Sequence, residues 1–363
     1  MLLAMLNEAI AGPPVYVSRD IRGFPITNIL STLMVTDAGF AAFSHYKVNS
    51  QLREILKTWK LYLESPDSAS TLDGAPDSGW LCKDRIMKLA HFLPTDGSHP
   101  ADYKAALKAF EDAFVKDPNQ PRLGFTSWDH FFTREFTDMN VSRPLPPDDP
   151  LAIVSACEST IYNIAYNVPE FGQFWLKDPV QYSLKHMLND DELAPTFYGG
   201  TVYQAYLIGT DYHRWHSPVS GTILKTTLVQ GSYYALPPTM RPKIKGGDID
   251  PSVQEEQAFL SAVATRALIF IQCPYPIGLV CFIAVGMVEV SSCEITVVRG
   301  DNIKKGDPLG MFHIGGSTCV VLFRKGLEFT LNPKLTPPKP DGTAGSHVQI
   351  RSSIGTVQEI ADT

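Results

Sequence analysis

The sequence predicts an α+β protein in which a helical N-terminal region is followed by a β-rich domain. Apolar residues recur at near-helical spacing within 52–63, whereas short β-branched runs separated by Gly and Pro fill the second part. Between the two patterns lies the segment 143–150, RPLPPDDP, which cannot continue a helix. We therefore expect a helical domain over 1–142 and a second domain over 151–363.

Two segments of the N-terminal region carry the helical pattern, and a segment rich in Ser, Asp and Gly follows the first of them. That segment, 64–79, has the composition of a loop. The apolar positions are Leu52, Ile55, Leu56, Trp59, Leu61 and Leu63 in the first segment, and Ala106, Phe110 and Phe114 in the second.

Seven short runs after residue 151 predict β-strands in an antiparallel, sandwich-like or barrel-like arrangement. The apolar stretch 267–286 is interrupted by prolines and a glycine, so we interpret it as two core strands and a turn. The tail 331–346 resembles an extended loop, followed by a last strand at 348–353. The seven runs are AIVSA, TVYQAYLI, GTILKTTLV, ALIFIQ, LVCFIAVG, EITVV and CVVLF.

Composition narrows the class of protein. The 363 residues are 44% hydrophobic and 19% charged, which is typical of a globular protein, and the net charge is −7 without a basic cluster. Nucleic acid is therefore not an expected partner.

The apolar N-terminal stretch is too short and too polar for a signal peptide or a membrane span. The six cysteines form no CxxC pair, so we expect reduced thiols and a cytoplasmic protein without integral membrane contact.

The most informative segment contains Gly315, Gly316 and Ser317 between two β-like apolar runs. Paired glycines permit strained backbone geometry, and the Ser317 hydroxyl could then attack the Gly316 carbonyl carbon. The resulting ester could eliminate to dehydroalanine, which hydrolyses to a pyruvoyl group. Taken alone, however, these three residues favour an ordinary β-hairpin turn.

Two further clusters contain titratable groups suited to proton transfer. His213 and His216 lie in DYHRWHSP, where Pro218 favours a strand or a loop over a helix. Histidine exchanges protons near neutral pH, but the pair could equally be structural, and no third ligand at a characteristic spacing predicts a metal site. Glu158 ends the apolar run VSACES, either as a surface residue or as a carboxylate that orients a histidine.

Taken together, the clusters resemble the phosphatidylserine decarboxylase family of pyruvoyl enzymes. Within that family the sequence is most similar to a fungal branch of L-tryptophan decarboxylases, through SACES, SLKHMLNDD, EVSSCEITV and AGFAAF. Residues 19–31 have no counterpart that we can place. The segments that carry the family resemblance, in the family's order, are WDHFFTREF with Arg143-Pro144, VSACES, DYHRWHSPVSGTI, VGMVEVSS, KGDPLGMFHIGGST and VVLF.

The resemblance implies a role for each candidate residue. Ser317 would be the pyruvoyl precursor, and cleavage after Gly316 would give a β chain and an α chain from one precursor. His216 and Glu158 would assist self-cleavage, His213 would serve decarboxylation, and Asp211 would support the histidine segment. No PLP and no metal would be needed. The lipid relatives suggest a homodimer.

The same resemblance implies a substrate and leaves alternatives. The fungal branch implies decarboxylation of an aromatic L-amino acid, with L-tryptophan giving tryptamine through a Schiff base. The alternatives are a phosphatidylserine decarboxylase, an unprocessed relative without activity, and a serine hydrolase, for which the G-x-S-x-G elbow is missing. Two departures stand out: Glu158 replaces the family's usual Asp, and His313 stands where lipid enzymes often have Lys.

Overall fold

A computed structural model gives the fold of the chain. Among the described residues, the N-terminal part contains eight α-helices, the last of which ends at Ser142, and the first β-strand begins at Ala152. The change from helices to strands thus falls within the predicted boundary, while the division into two domains stays a prediction. The described residues are 2–15, 25–76, 78–115, 117–172, 182–236, 257–287, 289, 292–314, 317–339 and 343–359.

The helices form where the sequence supplies both an apolar stripe and end signals. The fourth contains the predicted stripe of 52–63 and ends at Glu64, because Pro66 lacks the N–H that a continued helix needs. The sixth contains the second predicted stripe, and the Asp102 carboxylate accepts the Ala105 N–H at its start, at 2.8 Å. The helices are α1 Leu2–Ile10, α2 Pro25–Met34, α3 Asp37–Ser44, α4 Tyr46–Glu64, α5 Lys83–Leu89, α6 Tyr103–Phe114, α7 Trp128–Phe132, α8 Met139–Ser142, α9 Leu184–Met187 and α10 Gln257–Val263.

Part of the predicted loop at 64–79 is helical. Pro66–Thr71 form a 3₁₀ helix, and Ala194–Phe197 form another. The Ser68 hydroxyl donates to the Leu63 carbonyl at 2.8 Å, which caps the C-terminal end of α4. A residue of the predicted loop therefore satisfies a helix carbonyl.

The strands form three antiparallel sheets, which confirms the predicted α+β class and antiparallel arrangement. The largest sheet has eight strands in the order β13-β2-β3-β11-β7-β6-β5-β9, and the smaller sheets are β1-β14-β12 and β4-β10-β8. The strands are β1 Ala152–Val154, β2 Ser159–Val168, β3 Gly200–Leu207, β4 Arg214–His216, β5 Gly221–Val229, β6 Arg266–Gln272, β7 Leu279–Gly286, β8 Ser292–Ile295, β9 Asn302–Ile303, β10 Pro308–His313, β11 Ser317–Phe323, β12 Leu327–Leu331, β13 His347–Val348 and β14 Ser353–Glu359.

Each of the seven predicted runs overlaps a strand, although the run 294–298 shares only its first two residues with β8. The stretch 267–286 forms the antiparallel neighbours β6 and β7 as predicted. The predicted last strand at 348–353 is wrong in its central residues. A turn separates β13 from β14, because Arg351 has a φ of 68° and the Ser352 N–H bonds to the Gln349 carbonyl. Strand β2 was not predicted, since its polar and half-buried positions interrupt the apolar pattern.

Strand β7, an inner strand of the eight-stranded sheet, is buried on both faces. Along β7, Val280, Phe282 and Ala284 belong to one apolar core, whereas Cys281 and Ile283 belong to the core on the opposite face. A third core lies among the N-terminal helices. All six cysteines are unpaired, as predicted. Within the described ranges, no helix has the length and apolar character needed to cross a bilayer.

Candidate active site

Strand register brings Glu158 and Ser317 to the same edge of the large sheet. Thr318 in β11 pairs with Tyr206 in β3, and Tyr206 pairs in turn with Thr160 in β2. Glu158 and Ser317 therefore lie at matching ends of strands two places apart, about 10 Å from each other along the sheet, since neighbouring strands are about 4.8 Å apart. Gly316 and the side chain of Ser317 lie outside the described residues.

The connection before Ser317 joins two different sheets. Strand β10 pairs with β4 and β8, whereas β11 pairs with β3 and β7. Strands β10 and β11 are therefore not the two paired strands of a hairpin, as the sequence of Gly315, Gly316 and Ser317 alone would favour. Ile314 is buried and has a φ of 74°, a left-handed conformation that costs a β-branched residue about 1–3 kcal/mol. Backbone strain is therefore stored two residues before Gly316.

His213 lies beside the end of β10. The Phe312 N–H donates to the His213 carbonyl at 2.9 Å, which extends the pairing of β4 and β10 by one step. The imidazole is fully buried and stacks on the ring of Phe132 in α7, with 4.1 Å between ring centroids. The N-terminal helices thereby fix the plane of the ring that the resemblance assigns to decarboxylation.

His216 is held as a neutral imidazole. Its Nδ1 lies 2.8 Å from the Gly306 carbonyl, which only accepts, so Nδ1 carries the proton. The Tyr212 hydroxyl lies 3.4 Å from Nε2. Burial lowers the pKa of His216 to about 4, against a weaker opposing effect of the Gly306 contact. At neutral pH, Nε2 therefore presents a lone pair that can accept a proton.

Glu158 pairs with Arg143 rather than with a histidine. The Arg143 Nε donates to Glu158 Oε1, and both side chains are almost fully buried. Burial raises the pKa of Glu158, and the charge of Arg143 acts in the opposite direction. No described residue donates a hydrogen bond to Glu158 Oε2. The direct Glu158–His216 contact that sequence reasoning allowed is not formed between these described side chains, and the role of Glu158 in self-cleavage stays a prediction.

Asp211 connects the histidine segment to the tail of the chain. Its Oδ2 accepts the Ile208 N–H at 2.8 Å, and its Oδ1 lies 3.2 Å from Nε2 of His347. Burial alone would lower the pKa of His347, but the hydrogen bond and charge of Asp211, together with Glu158, raise it overall. Sequence reasoning missed His347, because a single histidine beside a predicted loop carries no motif.

Two buried arginines from the N-terminal region reach this edge. Arg134 donates to the Thr210 and Asp211 carbonyls at 2.8 and 3.1 Å, and burial lowers its pKa to about 10, so it stays charged at neutral pH. Together with Arg143, Glu158 and His347, it lines a cavity of about 20 Å³, large enough for a water molecule. Both arginines lie in segments that carry the family resemblance, which was the available signal for their importance.

The two histidines of the motif do not form a metal centre with other described residues. The group whose ligand atoms lie within 4.8 Å of one another is Glu64, Asp129 and His313, away from His213 and His216. Lys60 already lies 3.3 Å from Glu64 there, so a positive charge compensates this cluster.

Comparison with known proteins identifies the family. A phosphatidylserine decarboxylase family model matches residues 128–355, and a second one matches 1–89, a range that includes the segment 19–31 for which motifs gave no counterpart. The decarboxylase iboD of Amanita muscaria is 39% identical over 98% of this chain and 100% of its own length.

Two further relatives differ in how much of the chain they match. The L-tryptophan decarboxylase of Psilocybe cubensis is 36% identical over 93% of this chain and 75% of its own length. A phosphatidylserine decarboxylase proenzyme of Schizosaccharomyces pombe is 31% identical, over 59% of this chain and 20% of its own length. Because family models match both parts of the chain and the relatives match over most of its length, this chain is a decarboxylase and belongs to the phosphatidylserine decarboxylase family.

Proposed function

We propose that the chain cleaves itself between Gly316 and Ser317, converts Ser317 to a pyruvoyl group, and decarboxylates an aromatic L-amino acid, with L-tryptophan giving tryptamine. The observation that carries the proposal is the position of Ser317. It lies at the same end of the large sheet as Glu158, and buried His213 lies beside the end of β10, the strand that precedes Ser317. The substrate class rests on relatives named L-tryptophan decarboxylase, which match over 93% and 96% of this chain.

Self-cleavage would proceed by an acyl shift and an elimination. The Ser317 oxygen bonds to the Gly316 carbonyl carbon, the C–N bond breaks, and the Ser317 nitrogen takes up the proton that the hydroxyl loses. A base then removes the Cα proton of Ser317, and Gly316 leaves as a carboxylate. The remaining dehydroalanine tautomerises to an imine, adds one water and releases one ammonia. Neutral His216, with its Nε2 lone pair, is our candidate base.

The described residues around Ser317 fit such a group. The backbone of Ser317 pairs with Leu207 on one side and Gly286 on the other, so the new N-terminus would stay in place after cleavage. The strained backbone at Ile314 lies on the other side of the bond and would relax when it is cut.

In the decarboxylation itself, a pyruvoyl group supplies a carbonyl that binds the substrate amine and accepts electrons as CO₂ leaves. The chain's own contribution is a buried environment and a proton donor. We assign the return of a proton to the substrate carbon to His213, whose ring Phe132 holds in place. Its burial at 0% exposure excludes bulk water from the ring.

Intact mass under denaturing conditions tests the processing step. The wild-type chain should give two pieces, of which the C-terminal one has 363 − 316 = 47 residues and a blocked start, and Ser317→Ala should stay whole. A single uncut chain in both samples would refute the mechanism and support the unprocessed relative.

The substrate is tested separately on the cleaved protein. We expect amine formation from L-tryptophan in a panel of amino acids, and little binding to pelleted phosphatidylserine vesicles. Strong vesicle binding with phosphatidylethanolamine formation would instead favour the lipid enzyme.

We also expect a homodimer and a cytoplasmic location. Size-exclusion chromatography would test the homodimer, and cell fractionation would test the location.

A further inference from the structure

We propose that His313, held between the carboxylates of Asp129 and Glu294, is a positioning residue that maintains the strained backbone at Ile314 and so presents the following segment for self-cleavage. The inference rests on the proposed function, which assigns cleavage to the bond after Gly316. It adds a residue outside the histidine and glutamate set that sequence reasoning assigned.

Both ring nitrogens of His313 are engaged. Nδ1 lies 2.8 Å from Asp129 Oδ1, and Nε2 lies 2.9 Å from Glu294 Oε2. Carboxylates accept hydrogen bonds, so the imidazole donates to both of them when each ring nitrogen carries a proton, which makes the ring a cation. His313 and Asp129 are buried, which strengthens this charge-assisted pair.

The contacts join three elements to the end of β10. Asp129 belongs to α7, Glu294 to β8, and Lys60 of α4 completes the cluster. Lys60 Nζ lies 3.1 Å from Glu294 Oε2 and 3.3 Å from Glu64 Oε1. Burial alone would raise the pKa of Glu294, but Lys60 and His313 lower it overall, so it remains a carboxylate at neutral pH. The charged groups around His313 are therefore Asp129, Glu294, Glu64 and Lys60.

Ile314 needs fixed neighbours to keep its left-handed conformation. The residue is 1% exposed and packs in the core of the N-terminal helices, and β11 is held in register from Ser317 onward. With that end fixed, release of the chain before Ile314 would let its backbone relax to an ordinary conformation. The His313 contacts prevent such a release, because they hold the preceding residue from two sides.

The test follows self-cleavage of newly synthesised full-length chains over time by mass spectrometry. His313→Gln keeps the shape but lacks the charge, and we expect cleavage to slow by about 10-fold or more, a tenfold loss being 1.36 kcal/mol of barrier. His313→Lys supplies a cation with three donors, and we expect it to cleave within about 3-fold of wild type. His130→Gln, at an exposed histidine of α7, is the matched control and should cleave normally.

A positioning role makes two further demands. Once cleaved, His313→Gln should decarboxylate as fast per cleaved molecule as wild type, because His313 acts before the chemistry on substrate. Ile314→Gly, which adopts a φ of 74° without strain, should also slow cleavage. If His313→Gln does not fold, Asp129→Asn replaces it in the same assay, with the same expected slowing.

The outcomes separate this inference from the proposed function. A wild-type chain that never cleaves refutes the proposed function itself. If the wild type cleaves but His313→Gln cleaves at the same rate, or His313→Lys is as slow as His313→Gln, the positioning role of a cation at 313 is wrong while the proposed function stands.

Discussion

The body of the eight-stranded sheet and the groups near its edge at Ser317 are both buried but differ in chemistry. In the body, Phe282 and Ile283 of β7 point to opposite apolar cores. Near the edge, Glu158, Asp211 and His213 are buried as well, although two of them carry carboxylates and one an imidazole. Apolar packing in the body therefore stabilises the fold. The edge, in contrast, keeps charged groups away from water, which costs free energy.

Desolvation at the edge acts on acids and bases in opposite directions. It raises the pKa of Glu158 and lowers those of His216 and Arg134, because burial disfavours the charged form of each. Such opposite shifts in neighbouring groups are a common feature of catalytic sites. Four predictions concern the body of the sheet, its edge and one helix contact beside them. Each is made on the Ser317→Ala chain, so that every sample remains uncut.

The largest effect is expected in the body. Phe282→Ala should lower the free energy of unfolding by about 4 kcal/mol in a urea titration, because it opens a cavity under a sheet packed on both faces. Leu228→Ala, on β5 and 43% exposed, is the control and should lose far less. Equal losses would mean that Phe282 does not contribute more packing than an exposed leucine, against its burial in the core.

Breaking the ion pair at the edge comes next. Arg143→Met should lower the free energy of unfolding by about 3 kcal/mol, since it leaves the Glu158 charge buried without its partner. Adding Glu158→Gln should restore part of the loss. Lys108→Met, at an exposed pair with Asp112, should change stability by less than about 0.5 kcal/mol. No recovery in the double variant would contradict a paired charge.

The neutral state of His216 predicts a dependence on acid. Unfolded histidine binds a proton below about pH 6.5, whereas buried His216 does so only near 4, so stability falls as pH decreases between these values. Between pH 7 and pH 5, this one histidine should lower the free energy of unfolding by about 2 kcal/mol. His216→Asn should lose less stability over that range than the parent chain, and an unchanged slope would refute a neutral buried ring.

The smallest effect concerns a contact between helix α2 and Glu289, three residues after the end of β7. The Thr27 N–H and hydroxyl of α2 both donate to the buried carboxylate of Glu289. Thr27→Val removes one donor and should lower the thermal midpoint, by an amount equivalent to about 1 kcal/mol. Thr58→Val on the exposed side of α4 is the matched control, and a similar shift there would make the Glu289 contact unimportant.

How far the sequence predicts the site varies with the residue. The histidines and Ser317 were found because their motifs are local. An apolar run predicted the strand that begins at Ser317, whereas the histidine segment was left open as a strand or a loop. Arg134 and Arg143 lay in segments that carry the resemblance but received no role, since their partners are 76 and 15 residues away along the chain. His347 could not be found, because its contact with Asp211 spans 136 residues.

The sequence by itself determined the α+β class, the order of helices and strands and the family, because periodicity, turn residues and motifs are properties of neighbouring positions. Only the tertiary structure decided which groups meet: Glu158 with Arg143, Asp211 with His347, and His313 with Asp129 and Glu294. Strand register and the docking of helices on the sheet edge set those pairs. The same burial lowers the pKa of His216 and raises that of Glu158, which no local pattern encodes.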